Sequence, residues 1–334
     1  MNKEMKFTVI LPICHGGKFL ENALDSLAKL EFSPEHFEVL LAGPDYDEKL
    51  QHMLAAKSAD TGIHFNYIRG PQSNRSALLN AAISQARGRI FVFTDDDCTF
   101  PQDWLTRFSG VFARELNIGV VGGLDRTAKD EPALNVALDY VLNSFLGTGG
   151  LRRRGSGVGK YYPKLWNMAV PRETALSLAL DHEEGLYQVF DESLDVHEDV
   201  ALIDRIEKAG KRIVFSPEVF VTHSRDTTLR TFTRRSFNMA RTSRSIGVHR
   251  LPHFSLAFFA LGMIILTAAA IFFRPIRTVS AAAIIIYAAI LLLGGLGGYI
   301  RTRRLSVFFY IPVLFVAQHF SRGLGYLFPW QRPN

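Results

Sequence analysis

No acidic residue follows Asp226 in this 334-residue chain. Residues 1–226 carry a net −7, and residues 227–334 a net +13. Within that acid-free tail lie long apolar runs. Leu251–Phe273 and Val279–Ile300 are each long enough, at about 1.5 Å rise per residue, to cross a hydrocarbon core of about 30 Å. A third run, 305–328, is apolar in its first half and interrupted by Gln318, His319, Ser321 and Arg322. It reads either as a third span with a polar face or as a re-entrant helix. Basic residues alternating with apolar runs point to anionic headgroups rather than to nucleic acid. The Arg301, Arg303, Arg304 loop is more basic than the Arg274, Arg277 loop, which puts the N-terminal part and the second loop on the cytosolic side. No apolar core with a cleavage site opens the sequence, so no signal peptide is expected. Cys14 and Cys98 are far apart and form no CxxC pair. They read as reduced thiols rather than as a disulfide or a zinc site. The expected organisation is thus a domain over 1–226, a basic juxtamembrane segment over 227–250, and a membrane domain over 251–328 in a multi-pass plasma-membrane protein.

The first part alternates strand and helix patterns. Residues 6–13 read as a buried strand ending near Pro12, and Phe19 to Leu30 follow at helical spacing. Strands are expected at Glu38–Ala42, before the turn Gly43-Pro44, at His64–Ile68 and at Ile90–Thr94. A helix over Ser76–Ala86 is expected to stop at Gly88. The alternation predicts an α/β, Rossmann-like, mostly parallel sheet. Ligands of such sheets bind beyond the carboxyl ends of the strands, which draws attention to Pro12, to Asp45 and to Asp95-Asp96-Asp97. Three successive carboxylates repel one another, and a divalent cation such as Mg²⁺ or Mn²⁺ would offset the cost. A solvated acidic turn is the plainer reading of the same residues. Glu198-Asp199 opens a helix whose apolar side is Leu202, Ile203 and Ile206, closed by Gly210. A carboxylate there is held as the anion by the helix dipole and suits a general base, Asp199 first and Glu198 second. Arg234 and Arg235 suit diphosphate oxygens, while Arg241, Arg244 and Arg250 suit a membrane surface. The glycine-rich basic loop 147–160 reads equally as a mobile lid or as exposed surface.

The stretch FVFTDDDCTFPQDWL resembles the metal and nucleotide motif of the family 2 glycosyltransferases, which have a GT-A fold. Asn74–Asn80, Trp166–Val170, Phe190–Leu194 and His197–Leu202 resemble further family segments, and the similarity covers most of 6–240. It implies a metal at Asp97, with Asp95 on the ribose or sharing the metal. It also implies Arg75, Asn80 and Asp96 on the nucleotide-sugar donor, and His223, after the expected short strand 219–223, as a further metal or phosphate contact. Pro171, His197 and Ala201 depart from the family pattern. So does the end of the second strand, where only Asp45 and Asp47 stand near the position for the base, so UDP is a default. A QxxRW motif is absent near 233–238, which implies single-sugar transfer to a lipid or lipid-linked acceptor rather than polymer extrusion. A nucleotidyltransferase and an inactive membrane scaffold are the rival functions.

Overall fold

The structure is a computed structural model that describes residues 5–45, 47–71, 74–128, 131–148, 161–194, 196–225, 227–245 and 251–328. The chain divides into two compact units: residues 1–128 with 162–224, and residues 129–161 with 225–334. The first unit is a sheet with helices on both faces. Its opening strand β1 (Phe7–Pro12) is buried at every position, as a strand covered on both faces must be. Helix α1 (Gly17–Leu27) buries Leu20, Ala23, Leu24 and Leu27. Strand β2 (Phe37–Gly43) follows, then α2 (Glu48–Thr61), whose N-cap Asp47 accepts from the Leu50 amide at 2.8 Å and whose C-cap Gly62 has φ +71°. Such caps satisfy the unpaired amides at the start of a helix and allow a left-handed exit at its end. Next come β3 (His64–Arg69), α3 (Arg75–Gln85), β4 (Ile90–Phe93), the two-residue β5 (Cys98–Thr99), α4 (Trp104–Arg114) and β6 (Ile118–Thr127).

The unit resumes with β7 (Met168–Pro171), α7 (Arg172–Ser177), the exposed hairpin β8–β9 (Asp181–Glu183, Leu186–Gln188), α8 (Glu198–Lys208) and β10 (Arg212–His223). The main sheet runs β3-β2-β1-β4-β7-β6-β10-β5. Strands β1 to β4 are parallel, β7 is antiparallel to both β4 and β6, and β10 is parallel to β6. The order reverses direction between β1 and β4, so the loops leaving those two strands are neighbours at one end of the sheet. That is the position where open α/β sheets form a ligand crevice. The antiparallel pairing of β10 with β5 sets His223 opposite Cys98.

Three details depart from the sequence expectation. Helix α3 ends at Ala86, in extended conformation, and Gly88 is not its stop. A Cβ at Gly88 would meet the Phe7 carbonyl carbon and the Thr8 nitrogen at 2.4 Å, so glycine is needed there for close approach to β1. The short strand expected at 219–223 is the end of the twelve-residue β10, whose register shifts between Phe215 and Phe220, around Pro217. Residues 129–161 do not belong with the sheet. Helix α5 (Ala133–Asn143) packs Ala137, Leu138, Val141 and Leu142 against Leu291, Val307, Ile311, Leu314 and Phe315 of the C-terminal helices.

The second unit also holds α6 (Phe145–Thr148), α9 (Leu229–Ser245), α10 (Leu251–Phe272), α11 (Arg274–Thr302) and α12 (Leu305–Leu327). Three of its helices are long and apolar enough to cross a membrane. The first two hydrophobic windows are 11% and 17% buried, whereas that of α12 is 50% buried. The polar residues of α12 explain the contrast. Gln318 donates to the Gly147 carbonyl at 2.5 Å, and the His319 ring lies 2.9 Å from both the Leu146 carbonyl and the Tyr287 hydroxyl. The carbonyls at the end of α6 thus meet the side chains that break the third apolar run. Loop residues 149–160 lie outside the described residues.

Gly88→Ala should lower the stability of the full chain in detergent by about 2–3 kcal/mol, since a backbone clash cannot be relieved by a rotamer change. A thermal melt followed by tryptophan fluorescence checks this, and an unchanged midpoint would contradict the packing described.

Candidate active site

Each of the three adjacent aspartates at the end of β4 has a different partner. Asp95 pairs with the Arg75 guanidinium from the first turn of α3. Asp96 has its side chain fully buried and turns the other way. Its Oδ2 accepts from the backbone amides of Cys14, His15 and Gly16 at 3.0, 2.7 and 2.7 Å, and its Oδ1 lies 2.9 Å from His15 Nδ1. Asp97 Oδ2 lies 2.9 Å from His223 Nε2, brought there by the β10–β5 pairing. The ring of Trp166 packs against His223 at 4.9 Å. Burial pushes the Asp95 carboxyl up, against the pull of Arg75. Burial also opposes ionisation of Asp97, but the hydrogen bond and charge of His223 hold that carboxyl below the usual range. Potential ligand atoms gather here in two overlapping groups, Asp97–Cys98–His223 and His15–Asp96–Asp97. The Cys98 thiol is pushed well up by burial and by the carboxylates beside it.

Arg75 joins this strand end to a second acidic pair. Its other terminal nitrogen lies 3.4 Å from Glu198 Oε1, at the N-terminus of α8. Burial works against the guanidinium charge, but Asp95 and Glu198 raise its pKa well beyond the usual value. His197, the N-cap of α8, is left-handed at φ +70°, the turn that presents Glu198 and Asp199 together. Asp199 accepts from the Val200 amide at 2.7 Å and faces Lys164 Nζ at 3.5 Å. Burial opposes its ionisation, but Lys164 foremost holds the carboxyl below its usual range. Glu198 shifts the other way. Burial, reinforced by Asp199 and opposed by Arg75, raises it from 4.5 to about 7. The two neighbours therefore differ in protonation near neutral pH.

The first unit thus brings Arg75, Asp95, Asp97, His223, Glu198 and Asp199 to one cluster. Pro12 ends β1 beside it, buried. Two residues expected on the donor have other partners. Asn80 is buried and donates to the Phe190 carbonyl and Glu192 Oε1, both at 2.9 Å, while accepting from the Phe190 amide at 2.8 Å. It clamps the Phe190–Glu192 segment onto α3. Asp96, read from the sequence as a donor contact, is committed to the β1–α1 loop. Asp45 is exposed in the loop after β2, and its carbonyl accepts from the Tyr67 hydroxyl at 2.8 Å. Arg234 and Arg235 are exposed on α9, in the second unit. His15 and Lys164 were not picked out from the sequence. Both stand beside residues that were, His15 just after a strand end where ligands of such sheets gather.

A mostly parallel sheet with an acidic strand end at the switch point and an acidic pair opening a later helix is the GT-A glycosyltransferase arrangement. Residues 8–167 match the model of glycosyl transferase family 2, the family that the motifs resemble. The uncharacterized glycosyltransferase YfnE of Bacillus subtilis (strain 168) is 32% identical over 120 residues, which is 35% of this chain and 30% of YfnE. The match therefore spans under a third of that relative's length. The mannosyltransferase PcManGT from Pyrobaculum calidifontis, solved in complex with GDP-Man and Mn²⁺, superposes with a TM-score of 0.62 at 18% identity. The superposition covers 94% of this chain and 87% of that one, and it shows a shared fold.

The raised Glu198 has a consequence for stability. A carboxyl whose folded pKa lies above its unfolded value favours the fold while protonated. That contribution is complete below about 4.5 and is lost as pH rises through about 7. Glu198→Gln removes the titration. The melting midpoint of the variant relative to wild type should therefore shift in the variant's favour between pH 5 and pH 8. A difference that stays constant with pH would place Glu198 in a more solvated setting than the structure does.

Proposed function

We propose that this chain is a membrane-bound, inverting glycosyltransferase that moves one sugar from a nucleotide-sugar donor to a lipid or lipid-linked acceptor at the cytosolic face. The observation that carries the reading is the Arg75 bridge, which ties the Asp95–Asp97 strand end to the Glu198–Asp199 helix start. An inverting transfer needs two such halves, one for the leaving diphosphate and one for the acceptor's proton.

The strand end fits a divalent ion. Ligand atoms of Asp97, Cys98 and His223 converge there, with Asp95 adjacent in the chain, and His223 Nδ1 is buried without a hydrogen-bond partner among the described residues. Oxygen and imidazole donors suit Mn²⁺ or Mg²⁺, and Asp97, Asp95 and His223 are the residues that would hold it. Bound there, the ion supplies positive charge to the donor's diphosphate oxygens. The acceptor oxygen attacks the anomeric carbon as the bond from that carbon to the diphosphate breaks, and Asp199 takes the acceptor's proton. Lys164 keeps Asp199 ionised and so able to receive that proton. Glu198 is the second candidate base, favoured by a pKa near the working pH. Arg234 and Arg235 are proposed for the leaving diphosphate, and the hydrophobic helices for confining the enzyme where lipid acceptors concentrate. GDP-mannose belongs beside UDP-sugars in the donor panel, because the mannosyltransferase that shares this fold was solved with it.

The test is release of nucleoside diphosphate by the full chain in liposomes with membrane lipid extract, across a panel of sugar nucleotides. Mn²⁺ or Mg²⁺ should support release and EDTA should abolish it. Asp199→Asn should lower kcat by about 10²–10⁴-fold with donor affinity little changed. Glu198→Gln should cost less, and the reverse ranking would make Glu198 the base. No release with any donor would move the reading to an inactive membrane scaffold.

A further inference from the structure

The middle aspartate of the strand-end triplet has the most complete set of partners of the three, and none of them is a ligand. One oxygen of Asp96 gathers three consecutive backbone amides of the β1–α1 loop, and the other holds the imidazole of the same loop. The loop needs such a hold. Gly16 and Gly17 both have positive φ, +66° and +52°, which leaves the three amides pointing inward with no strand to pair with. A carboxylate oxygen that accepts several backbone amides holds their loop in one geometry. The arrangement decides where His15 stands. Its Nδ1 is committed to Asp96 and lies 3.9 Å from Asp97 Oδ2, while its side chain remains 32% exposed. No described residue takes Nε2. The loop and the triplet form the two walls of the crevice at the strand-order reversal.

We infer that Asp96 is a positioning residue that ligates neither metal nor donor, and that His15, held by it, contacts the nucleoside diphosphate part of the donor. The inference rests on the glycosyltransferase reading for the identity of that ligand. It separates Asp96 from its two neighbours: Asp97 and Asp95 face the ion, Asp95 also pairing with Arg75, and Asp96 holds the loop that shapes the donor pocket. It also adds a side chain to the pocket that lies outside the acidic motif.

Two titrations on the full chain in detergent test it. One follows Mn²⁺ by electron paramagnetic resonance without nucleotide. The other follows UDP and GDP by calorimetry at saturating Mn²⁺. In His15→Ala, affinity for the diphosphate that wild type binds should fall about tenfold, the cost of one lost polar contact. Asp96→Asn keeps an acceptor for the loop amides but presents an amide where the imidazole needs a carboxylate, and should fall at least as far. Mn²⁺ affinity should stay within twofold of wild type in both. A tenfold or greater loss of Mn²⁺ affinity in either variant would make these residues metal ligands and overturn the assignment. Unchanged diphosphate affinity in His15→Ala, a half-exposed residue whose loss leaves the loop amides in place, would overturn the contact while leaving the glycosyltransferase reading intact. Wild type that binds neither diphosphate would remove that reading and this inference with it.

Discussion

Three carboxylates on consecutive residues at the mouth of a buried sheet can coexist as anions only if each has its own compensation. The structure around them is built to provide it. Asp95 meets a guanidinium, Asp96 a ring of backbone amides, and Asp97 an imidazole. The three partners come from three distant parts of the chain: the start of α3, the loop after β1, and the end of β10. Drawing those segments together at the end of β4 fixes the geometry of the crevice. The sheet order serves the same end, because β1 and β4 are neighbours and β10 returns antiparallel to β5 to deliver His223 beside Asp97.

Arg75 carries this electrostatic arrangement from the donor side to the acceptor side. It lies half-buried between Asp95 and Glu198 and offers its guanidinium to both carboxylates. The pair at the start of α8 then divides its labour by environment. Asp199, next to Lys164, stays ionised, whereas Glu198 is pushed toward neutrality by burial and by Asp199 itself. Adjacent acids with pKa values moved apart are a recurring feature of sites that pass protons. The left-handed His197 makes this possible by turning the chain so that both side chains enter the site within one turn of helix.

Much of this was legible in the sequence, and what was not has identifiable causes. The strands β1, β2 and β4 are runs of apolar and β-branched residues, buried at every position. The acidic triplet and the Glu198-Asp199 pair stood out by charge at strand and helix ends, and Arg75 by the resemblance of its segment to the family. The division of roles within the triplet was hidden because three identical residues in a row carry no record of which way each side chain points. The turn between β4 and β5 that carries Asp96 and Asp97 sends Asp96 to the loop. The partners of Asn80 were hidden for a related reason. A polar residue one turn along a helix from Arg75 looks like a second ligand contact until the Phe190 segment, 110 residues later, is seen to occupy it. His15 had only its place after a strand to mark it. Gly88 looked like a helix stop because helix stops are the commonest use of glycine at that spacing, while its real constraint is a backbone met across the sheet.

The departure at residues 129–161 follows from a different physical cause. Helix α5 is apolar enough to have served as a covering helix of the sheet, but its buried face is complementary to Ile311, Leu314 and Phe315 of α12. That helix in turn needs the insertion. Gln318 and His319 are buried polar groups on a hydrophobic helix and cost several kcal/mol if left without partners in lipid. The Gly147 carbonyl accepts from the Gln318 amide group, and the Leu146 carbonyl lies against the His319 ring. An insertion in the middle of the catalytic sequence therefore supplies acceptors to the polar side chains of the third hydrophobic helix, and the helix completes the apolar core of the insertion. A chain boundary drawn from charge and hydropathy at residue 226 therefore divides one compact unit, residues 129–161 with 225–334. The interruption of the third apolar run, read from the sequence as a doubt about whether it spans, is the requirement of that contact.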